Sequence, residues 1–517
     1  MRNHKYLIIL SFFFCALKSI AQGDLKSDNY IFIADKWDSA FAKKNSDSMQ
    51  IAVLPILSKL QWIQDHPYNW NDGSMVQAKG WQQMIRGGIH MQFKCAEFQF
   101  APEIVLAQNL DINTHPTDSY DVLWRDYYRY YNFIELPDQM GTGLYKKFRP
   151  GQSFLKFHYK NWSIALSTQN KWWGPTQRNA LLLSNSAAGF PHISLRNQTP
   201  LNTKIGTFNV ELLAGNVTNG RWRPPNSHLS FRGNPLYLYK IPYDRTLNGF
   251  HLNYSPKWFT NLTIGIEQMF MQNTKDMRWH DYIPVKSIIS RFPDEKITQP
   301  ILLTATYFNY EMPKSGVTMY GEFGWNLYKT TLRNWLLQPD KGYASVLGIK
   351  KIFKTAKAYT FDLLAEIAQL QLLTRAEQLS NGIPTSWYLG SSVRQGYTHD
   401  GQLLGAGVGP GGSSQTLEFN WRKNKHRVGI MAERRVHNND YYVYAFSNSL
   451  DFRRFYIDVA TTLKADIQYK NWTIAPRISY IYTNNYQWYL FQAVDQYFIP
   501  GRDVQQWAGQ LNLIYTL

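Results

Sequence analysis

The chain has 517 residues, of which 44% are apolar and 16% aromatic, with a formal charge of +18 and two cysteines. That length with so few cysteines excludes a small disulfide-stapled secreted fold. The basic balance favours an acidic partner, with nucleic acid as the first class to test.

The first residues set the compartment. Arg2, His4 and Lys5 form a basic start, Tyr6 to Leu17 an apolar core, and Ser19-Ile20-Ala21 a small-x-small cleavage site, which together predict a secretory signal peptide over residues 1–21. The apolar run is shorter than the ~20 residues that a membrane helix needs, so cleavage is expected rather than anchoring. Cleavage removes Arg2, Lys5 and Lys18 and no acid, which takes the charge from +18 to +15 and leaves Cys95 as the single cysteine. Export argues against nucleic acid, and an acidic glycan or lipid headgroup takes its place as the expected partner. Residues 22–75 are expected to form an N-terminal helical or plug segment. Tyr30, Ile33, Ala34, Trp37, Ala40 and Phe41 recur at helical spacing, with Ser27 or Asp28 as the cap. Met49 to Ile63 reads as a second helical stretch interrupted by Pro55.

From residue 76 onward the pattern changes to a period of two. Leu155, Phe157 and Tyr159 alternate with Lys156, His158 and Lys160; Trp162, Ile164 and Leu166 with Ser163, Ala165 and Ser167; Leu262, Ile264 and Ile266 with Thr263, Gly265 and Glu267. Val428, Ile430 and Ala432 repeat this, and so do Trp507, Gly509, Leu511, Leu513 and Tyr515 at the end of the chain. These are strands with one oily face. A soluble sandwich alternates as well, but two features favour a membrane barrel. Connections alternate between short turns, as at Lys160-Asn161 and Lys470-Asn471, and long stretches such as 272–299, 372–399 and 484–504. Tyr and Trp also gather near strand ends. The expected fold is therefore all-β, a transmembrane outer-membrane barrel of about 16–18 antiparallel strands over residues 76–517, preceded by a short helical element. Pro476 is expected to bulge its strand or shift its register. The echo between Tyr159-Lys160-Asn161-Trp162 and Tyr469-Lys470-Asn471-Trp472 is read as one recurring turn.

The densest motif is Lys171-Trp172-Trp173-Gly174-Pro175, followed by Arg178-Asn179-Ala180-Leu181-Leu182-Leu183-Ser184-Asn185 and Gly189-Phe190-Pro191-His192. With Ile134-Glu135-Leu136-Pro137, Pro150-Gly151-Gln152-Ser153, Asn71-Asp72-Gly73, Pro102-Glu103 and Ala107-Gln108-Asn109, this block resembles the capsule assembly Wzi family, and the likeness covers most of the mature chain. The resemblance implies a non-enzymatic outer-membrane barrel of a Gram-negative bacterium, with an N-terminal helical element, that binds capsular or related exopolysaccharide and helps attach it to the surface. It carries over no individual ligand contact.

From residue chemistry, two basic-aromatic clusters are the ligand-binding candidates: Lys171, Trp172, Trp173 and Arg178, and Arg221, Trp222, Arg223, His228 and Arg232. Aromatic faces cover sugar rings, and guanidinium groups pair with carboxylates in forked geometry. Trp172 and Trp173 before Gly-Pro also fit a plainer role, anchoring a loop folded into the barrel. Of Arg434 and Arg435, alternation sends only one into the lumen. The glycine run Gly407 to Gly412 precedes a strand and reads as a turn rather than a phosphate loop. Scattered histidines and a single cysteine predict no metal site and no cofactor. Two other readings compete: a porin for anionic or sugar solutes, from the polar inner faces, and an outer-membrane hydrolase using His437 and Asp440. The chain is expected to act as a monomer, in contact with outer-membrane lipid.

Overall fold

The computed structural model describes residues 49–517 apart from 69–70, 113–120, 222, 225, 283–299, 327–335, 338–341, 356–358, 373–378, 381–382, 385, 447–454 and 490–502. The expected signal peptide and the first expected helical stretch thus lie outside the described residues.

Eighteen antiparallel strands close into one barrel. In chain order they are β1 (Gln50–Ile63), β2 (Gly80–Phe93), β3 (Ala96–Phe100 continued by Glu103–Ala107), β4 (Tyr145–Arg149 continued by Phe154–Tyr159), β5 (Trp162–Ser167) and β6 (His192–Asn197). Then come β7 (Gly206–Val217), β8 (Arg245–Pro256), β9 (Leu262–Asn273), β10 (Ile301–Met312), β11 (Val317–Asn326) and β12 (Tyr343–Lys354). The last six are β13 (Tyr359–Gln369), β14 (Ser413–Lys423), β15 (His426–Val436), β16 (Ile457–Tyr469), β17 (Trp472–Asn484) and β18 (Val504–Tyr515). Each pairs with its neighbour in sequence, and β18 returns to β1, with Tyr515 opposite Ile56 and Ala508 opposite Ile63. Closure leaves no raw edge, which a sheet of this size in lipid requires.

Sequence and structure part company at β1. Met49 to Ile63 was expected as a helix, and the barrel was expected to start at residue 76, but Gln50–Ile63 is a strand paired on both sides. Its pairing with β2 jumps from Leu54↔Gly88 to Leu57↔Arg86, so a bulge at Pro55-Ile56 puts Leu54 and Leu57 on the same inner face. Two buried leucines three apart imitate a helix period. Prolines also explain the breaks in β3 and β4, which fall at Ala101-Pro102 and Pro150-Gly151. At Pro476 the expected shift does not occur. Pairing with β16 skips Ala475 and Pro476 and resumes in the same register, and pairing with β18 runs straight through Pro476↔Leu511. The missing N–H interrupts the ladder on one side only.

The sheet is oily outside and polar within. On β14, Leu417, Phe419 and Trp421 are exposed outward while Glu418 and Asn420 are buried inward; on β15, Val428 and Ile430 face out while Arg427 and Glu433 face in. Arg434 points outward and is exposed, and Arg435 points inward to the carbonyls of Gly407 and Val408 at 3.1 and 3.3 Å. The short turns, the start of β1 and the end of β18 gather at one end of the barrel. Lys160 and Lys470 open identical two-residue turns with φ of 51° and 50°, so the sequence echo is a shared left-handed turn. The long connections all lie at the other end, among them 168–191, 218–244 and 370–412.

Those long connections turn inward. Leu181, Leu182 and Leu183 from one, and Trp387, Tyr388, Tyr397 and Leu404 from another, pack with inward strand residues such as Leu213, Met269, Leu303 and Val346 into one apolar cluster inside the barrel. Over it, α1 (Asp121–Tyr131) meets α2 (Asn439–Phe446), where Tyr441 lies 6.0 Å from Tyr127 and 5.7 Å from Tyr130, ring centre to ring centre.

Candidate functional site

The first predicted cluster, Lys171, Trp172, Trp173 and Arg178, lies inside the barrel and holds a plug in place. Segment 168–191 presents a row of donors, and four glutamates on the inner faces of β7, β11, β13 and β15 receive them. Glu211 accepts from the Lys171 ammonium at 2.6 Å and from the Trp173 indole N–H at 3.2 Å. Glu322 accepts from the Thr176 hydroxyl at 3.3 Å and the Leu181 N–H at 2.9 Å. The backbone N–H groups of Gln177, Arg178 and Asn179 converge on Glu366 at 2.8 to 3.2 Å, and the Tyr320 hydroxyl joins them at 2.8 Å. Arg178 reaches Glu433 at 2.7 Å. Gly174 has φ of 80°, and a Cβ there would lie 2.9 Å from a Glu322 oxygen, so the Gly-Pro step lets the loop pass close to the wall. Trp173 also stacks on His251, ring centres 5.4 Å apart, and Trp172 donates to the Thr176 carbonyl at 3.1 Å.

Lys171, Trp173 and Arg178 are therefore engaged with the barrel's own wall, and Trp172 bonds within the inward segment itself. Sequence reading named the donors and missed the acceptors Glu211, Glu322 and Glu366. The available signal was a lone acid on the inner face of an alternating strand, which in a water-filled pore would need no partner and in a filled one must have one.

The second cluster lies on the outer rim. Arg221, Arg223, His228 and Arg232 are all exposed; Trp222 falls outside the described residues. Arg223 lies over Tyr239 at 5.0 Å, and Arg232 and Arg125 both lie over Phe231 at 5.2 and 5.5 Å. Stacking of this kind holds guanidinium planes near aromatic faces while their N–H groups remain available to an incoming anion. The rim is tied down from below. Arg394 donates to the carbonyls of Leu238, Tyr239 and Asn132 at 2.8, 3.4 and 3.3 Å. Lys240 donates to Tyr131 at 2.8 Å and to Ile134, and burial lowers its ammonium to about 7. Between Arg221 and Asp244 the only acid is Asp244 itself, so the segment is net positive.

The proposed His437–Asp440 pair does not form. His437 bonds Asp458 at 2.7 Å, whereas Asp440 accepts from the Leu372 N–H at 2.9 Å and the Ser386 hydroxyl at 2.6 Å. In the glycine run, the Gly409 N–H donates to the Ala406 carbonyl at 3.1 Å and the Gly412 N–H to the Gly409 carbonyl at 3.3 Å, the bonding of a turn.

A closed antiparallel barrel with an oily exterior, a lumen filled by its own long loops and a basic-aromatic outer rim defines a plugged outer-membrane β-barrel. The family model for capsule assembly protein Wzi matches residues 96–475, so the chain belongs to the Wzi family. No curated protein matches it by sequence. Among solved structures it is similar to Wzi of Escherichia coli, described as an outer membrane protein involved in group 1 capsule assembly and a carbohydrate-binding β-barrel. The identity is 10% and the TM-score 0.58, over 90% of this chain and 85% of that one. Acinetobacter baumannii OccAB2 aligns at 9% identity and TM-score 0.41, over 90% and 98%; Pseudomonas aeruginosa OprD at 9% and 0.40, over 91% and 95%.

Proposed function

We propose that this barrel is a non-enzymatic attachment protein that binds an anionic capsular or related exopolysaccharide at its outer rim and holds it at the cell surface. The observation that carries this reading is the exposed set Arg221, Arg223, His228 and Arg232, displayed beside Phe231 and Tyr239 above a filled lumen. Carboxylates of the glycan pair with the guanidinium forks, which the aromatic faces of Tyr239 and Phe231 hold in place, and the mature chain's positive charge draws the polymer in. Of the two predicted clusters, the rim is the ligand-binding one; Lys171, Trp172, Trp173 and Arg178 support it from inside. The filled lumen speaks against the porin reading.

The test is binding of the purified barrel to the acidic polysaccharide of its own cell, measured across salt. Affinity should fall steeply as the Debye length contracts from ~10 Å at 0.1 M to ~3 Å at 1 M. Replacing Arg221, Arg223 and Arg232 together by alanine should weaken binding at low salt at least tenfold and flatten the salt dependence. Unchanged polysaccharide retention on cells lacking the gene would overturn the proposal.

A further inference from the structure

We infer that a cavity at the outer end of the lumen is a pocket for one uncharged pyranose unit of the glycan, distinct from the charged rim. The inference rests on reading the barrel as a carbohydrate binder. The cavity lies where loop 132–144 meets the connections that follow β15 and β17, and it measures about 140 Å³. That is the volume of about five waters at ~30 Å³ each, the scale of one sugar ring with its hydroxyls.

Its walls carry what a hydroxylated ring needs. Asp138 accepts one hydrogen bond, from the Gln487 amide to Oδ2 at 3.3 Å, and among the described residues no donor meets its other oxygen. Trp488 is buried, and among the described residues its indole N–H meets no acceptor. Gln487 and Trp488 are consecutive residues with φ of 52° and 57°, a left-handed pair that costs free energy at non-glycine positions and recurs at ligand sites. A sugar hydroxyl is both donor and acceptor, so a carboxylate oxygen and an N–H on one wall can serve neighbouring hydroxyls.

The flat surfaces are equally prepared. His437 stacks on Tyr456 with ring centres 3.8 Å apart and planes 9° apart, its other side fixed by Asp458. Trp488 stands edge-on to Tyr456 at 5.5 Å. Rings held rigidly in this way offer apolar faces to the C–H side of a pyranose without ordering on binding. Charge selects the class of sugar. Asp138 would repel a uronate, and Arg435, the nearby cation, already holds the carbonyls of Gly407 and Val408. The pocket thus suits a neutral unit while the rim takes the acidic ones.

The experiment titrates the full-length barrel in detergent with methyl glycosides of glucose, galactose, mannose and N-acetylglucosamine. Tryptophan fluorescence and calorimetry are read at 0.1 M and 1 M salt for the native chain, Asp138→Asn and Trp488→Phe. The expected result is that at least one glycoside binds with an affinity that salt leaves unchanged, and that each substitution weakens it tenfold or more. Both variants should retain the salt-dependent binding of acidic polymer, which also verifies that they are folded. If no glycoside binds, or if both variants bind as the native chain does, the pocket assignment fails while polymer binding stands. Loss of polymer binding by the native chain would instead remove the reading on which it rests.

Discussion

Asp138 is exposed on the wall of the loop cavity, and the protein packed around its carboxyl displaces enough water to push it up to about 6 from an ordinary 3.8. An acid whose folded value is raised weakens the fold once it ionises. The penalty is absent where both states are protonated, grows as pH rises from about 4 through 6, and is complete at pH 7. Asp138→Asn should therefore raise the thermal midpoint at pH 7 and change it little at pH 4. Equal shifts at both values would show that the carboxyl's ionisation is not responsible. Arg178 presents the opposite case. Its side chain is the cation beside Glu433, which is almost wholly buried, so Arg178→Ala leaves an uncompensated charge and should cost about 3 kcal/mol in denaturant unfolding. Adding Glu433→Gln should recover much of that loss, because the stranded charge goes with it.

At the scale of strands and turns, Gly88 is the most constrained position of β2. A Cβ there would lie 1.9 Å from the Phe100 carbonyl oxygen and 2.9 Å from the Ala101 Cα, where β3 breaks before Pro102. Gly88→Ala forces apart two adjoining strands, and the fraction of folded, heat-modifiable barrel on electrophoresis should drop markedly. Most strands were legible because one face meets lipid and the other a polar interior, so Leu417, Phe419 and Trp421 or Val428 and Ile430 keep strict period two. The exception was β1, where the bulge at Pro55-Ile56 moves Leu54 and Leu57 onto one face and breaks the rule that the eye follows. The site was legible in chemistry but not in position. Trp173 and Arg178 looked like ligand contacts because tryptophan and arginine recognise a glycan and anchor a loop through the same N–H groups. Only the placement of Glu211, 38 residues from Trp173, and of Glu433, 255 residues from Arg178, separates the two roles.

For the molecule as a whole, an eighteen-strand barrel is wide enough to hold an aqueous channel, and here apolar loop residues occupy it. Planar bilayers containing the native protein should show almost no conductance. Replacing residues 172–187 with a short Gly-Ser link should open discrete channel events; a silent bilayer after that change would place the seal elsewhere. The pairing of Ile56 with Tyr515 governs how the protein is made. Its two partner strands leave the ribosome first and last, so the seam cannot be sewn until the whole polypeptide has been delivered, and bringing such distant segments together is slow. Throughout that interval the nascent molecule has unpaired peptide groups and sticky flanks in an aqueous compartment. It therefore depends on escorts that shield them until insertion, and any chain lacking its last dozen residues remains an open sheet awaiting a stranger's strand.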